Sequence, residues 1–208
     1  MKLRRALASS TMIAVALFVQ ACSRPMNPQD SCNFVQNSEQ QRVSWKGKLP
    51  IKLYIHKSFP QEGMDSLKKA IAQYNTTIGG GRELLRIEAQ GVDGELNPSR
   101  DGFSTIYWFK TWDPNKPTEQ ARTTIYWSGT EIFEADMRIN ALNFNYNFSD
   151  TTTFSDVDLT SLILHELGHV FGLAHNPATG STMNAVLDEG QVRRKLGDVD
   201  VASLKCEY

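Results

Sequence analysis

The stretch LILHELGHVFGLAHNPATGSTMN, residues 162–184, decides how the rest of the chain is read. Three of the four histidines fall within eleven residues here, beside one glutamate and among apolar side chains. From Val157 to Phe171 the apolar residues Leu159, Leu162, Ile163, Leu164, Leu167, Val170 and Phe171 cover nearly every side. That pattern predicts a buried helix, with Ser155 or Asp156 as its N-cap. An uncompensated carboxylate in such a place is costly or becomes neutral. Something must answer Glu166.

Spacing supplies the answer. His165 and His169 are four residues apart, about 400° around a helix and ~6 Å along it, so both imidazoles leave one face. Glu166 projects from the adjacent position, within reach of a water on an ion held there. On a continued helix His175 would lie about 240° further round and ~9 Å further on, out of reach. Gly172 tolerates the left-handed conformation that ends helices, so the chain can turn and return His175 as a third ligand. Three imidazoles suit zinc, with a fourth position left for water. Such an ion lowers the pKa of that water towards about 7. Glu166 then serves as the general base and hands the proton to the leaving amine.

His165, Glu166, His169, Gly172 and His175 fill the full pattern H-E-x-x-H-x-x-G-x-x-H. On these residues the chain resembles the metzincin clan of zinc endopeptidases, and within it the matrixin family, as a small bacterial member. The resemblance implies an α+β catalytic domain with a mixed, mostly parallel twisted sheet and about three helices. It implies that Met183, in STMNA, lies as an apolar floor beneath the ligands. ADMRIN (135–140) is similar to the strand that lines the cleft rim and pairs with substrate backbone. NAVLDEGQVRRK (184–195) should wall the pocket beside the scissile bond. LGDVDVASL (196–204) resembles the last helix, with Asp198 as its N-cap. The chain also departs from the family. Ala185 stands where a proline is common, no tyrosine ligand follows, and no cysteine-switch sequence precedes the domain. Only His56 remains outside the motif, so a second, histidine-rich zinc site cannot be built. Calcium is left open, because acidic loop residues are plentiful but no spacing assigns a site.

Working outward, Lys2, Arg4 and Arg5 precede an apolar run from Ala6 to Val19 and then VQAC, the layout of a signal peptide over 1–21. The run is short for a membrane span, which takes roughly 20 residues. Val19-Gln20-Ala21-Cys22 resembles the bacterial lipobox, which implies lipid on Cys22. Removing it leaves Cys32 and Cys206 as an even pair, expected to form a disulfide in an oxidising compartment. A bond between them closes a long loop and adds up to about 5 kcal/mol. The rival reading makes Cys32 a thiolate on the metal of a latent form. Residues 22–43, polar with two prolines, read as a tether, and 44–208 as the single catalytic domain. These features predict export and lipid anchoring to a bacterial membrane. Ser23 lacks the aspartate that retains lipoproteins at an inner membrane, so an outer membrane is preferred if there is one.

Beyond residue 21 the chain has 19 basic and 23 acidic residues, a net charge of −4, with no basic block. That argues against nucleic acid as a partner. Ile51, Leu53 and Ile55 alternate with Lys52, Tyr54 and His56, which predicts a half-buried strand with His56 solvated. Met64, Leu67, Ile71 and Tyr74 form a helical stripe ended by the glycines at 79–81. Leu84 to Ala89, 103–112, 123–133 and 135–144 read as further strands. Protein or peptide is the expected substrate. The alternatives are a surface lipoprotein that keeps zinc only for folding, or a hydrolase of a non-peptide amide in the cell wall.

Overall fold

The computed structural model describes residues 32–151 and 154–208. The signal segment, Cys22 and the first part of the tether lie outside the described residues. Strand β1 (Ile51–His56) follows its alternation, with Ile51, Leu53 and Ile55 buried. Helix α1 (Met64–Thr77) buries the expected stripe of Met64, Leu67, Ile71 and Tyr74, with Ala70 beside it. Strands β2 (Leu85–Val92), β3 (Ser104–Phe109), β4 (Ala121–Ser128) and β5 (Glu131–Asn140) complete a five-stranded sheet ordered β2-β1-β3-β5-β4. Every pairing is parallel except that of β4 with β5. A short parallel pair, β6 (Tyr146–Asn147) and β7 (Val157–Asp158), leads into helix α2 (Leu159–Val170), and α3 (Asp198–Leu204) closes the chain. The mixed, mostly parallel sheet with three helices is the architecture that the motif implied.

The core lies between the sheet and the two longer helices. Leu53, Ile55, Ile106, Met137 and Ile139 meet Leu67 and Tyr74 of α1 and Leu159, Ile163 and Leu167 of α2 in one cluster. Tyr74 welds the helices together: its hydroxyl donates to the Leu164 carbonyl at 2.8 Å, and its ring stacks on Phe171 at 4.9 Å. α2 is therefore held by the core on its apolar sides and can commit one short face to charge.

Several readings of the sequence need correction. The run 123–133 is not one strand. Gly129 (φ +60°) starts a two-residue hairpin turn between β4 and β5, with Ser128 opposite Glu131, and a positive φ at that position is what primed hairpin turns require. His56 is not solvated. It is 3 % exposed, with Nδ1 at 2.9 Å from the Ser58 hydroxyl and Nε2 at 3.3 Å from the Gly94 carbonyl. α2 begins later than expected, because Val157 and Asp158 pair with Tyr146 and Asn147; Asp158, not Ser155 or Asp156, caps it by accepting from Ser161 N at 2.8 Å. The N-cap of α3 is Gly197, whose N–H is met by the Asp200 carboxylate at 3.2 Å, and Asp198 is the first helical residue.

The tether also ends sooner than residue 43. Phe34 and Val43 are 3 % and 0 % exposed, and Phe34 bridges to Leu173. Polar composition hid these two apolar anchors. Cys32 and Cys206 form a disulfide with their Cα atoms 6.3 Å apart, which fastens this segment to the end of α3. Replacing both cysteines by serine is expected to cost about 2–5 kcal/mol of stability. Urea unfolding of the double variant beside the oxidised parent measures it.

The sheet face away from the helices carries a buried acid. Asp136 is 1 % exposed; Oδ1 accepts from Thr105 N at 3.0 Å, and Oδ2 has no partner. Burial pushes its pKa up to about 7, the Thr105 N–H opposing and Glu134 reinforcing the shift. The folded state therefore binds this proton more tightly than the unfolded chain does. The stabilisation is complete below the ordinary carboxylate range and is lost as pH rises through about 7. Asp136→Asn should flatten the decline in thermal midpoint between acid and neutral pH, and melting curves across that range check it.

Candidate metal centre

The site begins with the way α2 ends. Gly172 sits at φ +99°. Its N–H donates to the His169 carbonyl and Leu173 N to the Gly168 carbonyl, both at 2.9 Å, the paired bonds of a Schellman ending. A Cβ on residue 172 would stand 2.6 Å from the Val43 carbonyl, so glycine is required twice over, by conformation and by space. The segment beyond is bracketed by the N-terminal residues. Val35 N donates to the Gly172 carbonyl, Ala174 N to the Asn33 carbonyl, and Asn33 Nδ2 to the Ala174 carbonyl, each at 2.8 Å. The turn that returns His175 is thus fixed by residues that the sequence reading placed in the tether.

The three histidines meet. Nε2 of His169 lies 3.1 Å from Nε2 of His165 and 3.2 Å from Nε2 of His175. Nδ1 of His165 is 2.8 Å from the Thr182 carbonyl, and Nδ1 of His169 is 2.7 Å from the Leu173 carbonyl. A carbonyl only accepts, so each of these Nδ1 atoms carries the proton and each neutral ring offers Nε2 as a lone pair. Lone pairs this close repel unless a cation stands among them. Nitrogens bound tetrahedrally at about 2.0–2.1 Å would be roughly 3.3 Å apart, so the donor set fits zinc. Burial, then His169, pushes His165 down to about 3, and the same two causes lower His175. Neutral rings are the ligating form.

Met183 is fully buried, with its sulfur packed against Gly168 of α2. A Cβ on Gly168 would overlap its sulfur, which explains the glycine within the motif. Asp200, 1 % exposed, holds this turn from the far side: its carboxylate accepts from the Ser181 hydroxyl and from Thr182 N, each at 2.6 Å. Thr182 in turn presents its carbonyl to His165. Sequence reading stopped at Asp198, and only the two-residue offset within DVD concealed the acid that matters.

Glu166 is 4 % exposed and follows the ligand His165 directly. Its Oε2 accepts from the Thr123 hydroxyl at 2.6 Å. Burial raises its pKa, opposed by His169 and by the Thr123 bond. Glu166 and the three histidines line a cleft of about 980 Å³, bounded on one side by residues 118–123 and Ile125 and on the other by 184–189. The rim strand is therefore β4. ADMRIN, expected at the rim, lies in β5, which is paired on both sides and has no free edge. Asn140 N donates to the Gln120 carbonyl, and antiparallel alternation then turns the backbone groups of Ala121, Thr123 and Ile125 away from β5, towards an incoming strand. Of the segment 184–195, residues 184–189 line the cleft. Arg193 holds the carbonyls of Asn184 and Val186, and its own N–H donates to Ser161 Oγ on α2 at 2.7 Å.

Gly172→Ala should cost about 1–2 kcal/mol from the left-handed backbone alone, with more from the contact at Val43. Because the strain falls on the turn carrying His175, zinc should also be surrendered to a chelator at lower concentration than by the parent. Thermal melts and chelator competition read the two effects separately.

Against models of known families, residues 106–208 match the matrixins, a span that runs from β3 to the C-terminus and holds the whole centre. No curated protein matches.

Proposed function

We propose that this chain, a matrixin over residues 106–208, is a zinc-dependent endopeptidase that hydrolyses proteins or peptides outside the cytoplasm. The observation that carries the proposal is the convergence of three imidazole nitrogens, 3.1 and 3.2 Å apart, beside a buried carboxylate in a cleft with a free strand edge. His165, His169 and His175 would hold the ion, which supplies Lewis acidity towards a water and a peptide carbonyl.

The chain's own groups do the rest. An extended substrate pairs with the free edge of β4, which aligns the scissile bond along the cleft floor. Thr123 fixes one carboxylate oxygen of Glu166, leaving the other free to face the attacking water. Burial strengthens the hold of Glu166 on a proton, which suits a base that must keep the proton until the amine leaves. Leu162, Val186 and Leu187 give the wall beside Glu166 an apolar lining, a place for an apolar substrate side chain. The export signal and the Cys22 lipid, read from the N-terminal sequence, would hold the enzyme at a membrane surface.

The test is hydrolysis of a mixed peptide library by zinc-loaded protein. Glu166→Gln keeps the shape but removes the base, and should lower kcat about 100- to 10,000-fold. Chelation should abolish turnover and zinc restore it. A Glu166→Gln protein as fast as the parent, or a parent active without metal, overturns the proposal. So does stoichiometric zinc with no cleavage of any peptide.

A further inference from the structure

The cleft is crossed by a side chain that the reaction does not use. Gln120 stands immediately before β4, on the rim, and its Nε2 donates to the Leu187 carbonyl on the facing wall at 2.8 Å. Both ends of this brace are fixed. The Gln120 carbonyl accepts from Asn140 N and from the Tyr146 hydroxyl, each at 2.9 Å. Leu187 is buried, and Arg193 clamps the carbonyl of the residue before it. Among the described residues, no other side chain of 118–128 bonds to 184–189, so this brace is the one side-chain crossing between rim and wall.

Its position along the rim sets a length. Strands rise about 3.3–3.4 Å per residue, so Gln120 lies roughly 10 Å from Thr123, the residue that touches Glu166. A peptide laid on the β4 edge runs about 4.8 Å from that strand, in the gap between rim and wall that the Gln120 side chain fills. We infer that Gln120 is a specificity-determining residue: it limits the extended segment accepted on that side of the scissile bond to about three residues. A longer extended segment has to break the Gln120–Leu187 bond or bend out of the cleft there. Substrates with a chain end or a turn at that point are cleaved in preference to the middle of a long strand. The inference rests on the peptidase reading above.

Nested synthetic peptides test it. They share one cleavage site and are lengthened one residue at a time on either side, and the zinc-loaded parent is compared with Gln120→Ala and Gln120→Ser. In the parent, kcat/KM should fall about tenfold when one of the two sides grows beyond about three residues, the value of one hydrogen bond that must be broken. Both variants should lose that fall while cleaving the shortest peptides as the parent does. Equal length dependence in parent and variants, with cleavage intact, overturns the Gln120 inference alone. Loss of short-peptide cleavage in both variants with unchanged melting temperature also overturns it, because Gln120 would then serve the chemistry. A parent that cleaves no peptide defeats the peptidase reading and this inference with it.

Discussion

Two imidazoles whose outer nitrogens already donate to carbonyls cannot bring their inner nitrogens to 3.1 Å without positive charge between them. That constraint organises the molecule. The Thr182 carbonyl fixes one ring and the Leu173 carbonyl the other, so the backbone on both sides of the helix end is part of the centre. Met183 and Gly168 interlock, and Asp200 holds the turn before the methionine through Ser181 and Thr182. Each support belongs to a different part of the chain, and each acts through an orientation that a mobile side chain would lose.

The same economy appears in the treatment of buried charge. Glu166 is largely buried at the wall of the cleft and has one designated partner, the Thr123 hydroxyl, which comes from the edge strand β4. The carboxylate and the free strand edge are therefore joined in one unit. Asp158 shows the structural version of this arrangement. It caps α2 and pairs with Arg194, which also reaches the carbonyls of Ser149 and Asp150. The helix bearing the ligands and the segment walling the pocket are consequently anchored at one point.

The ligand set, the base and the helix that carries them were legible because their spacing is local. Four residues on a helix, then a glycine, leave little freedom in where the side chains go. Alternation exposed β1, and the stripe from Met64 to Tyr74 exposed α1. What escaped detection was decided by partners far along the chain. Residues 33–43 look like linker until Phe34 and Val43 find Leu173 and Gly172. His56 looks solvated until Ser58 and Gly94 enclose it. The cleft rim moved from β5 to β4 because which strand of a sheet is the edge depends on pairing order, and no single strand records that order in its own residues.

The sequence by itself therefore determined the local constellation: three imidazoles that could hold a metal ion, with an acid beside them, on an apolar helix ended by a glycine. Short-range geometry is enough for that, since 3.6 residues per turn and one left-handed residue fix the ligands relative to one another. Only the tertiary structure decided which strand edge lines the cleft, which hydroxyl meets Glu166 and which wall carbonyl Gln120 reaches. Those are contacts between residues 43 and 67 positions apart, and they arise from the packing of a sheet edge against a helix and a loop, which no local pattern encodes.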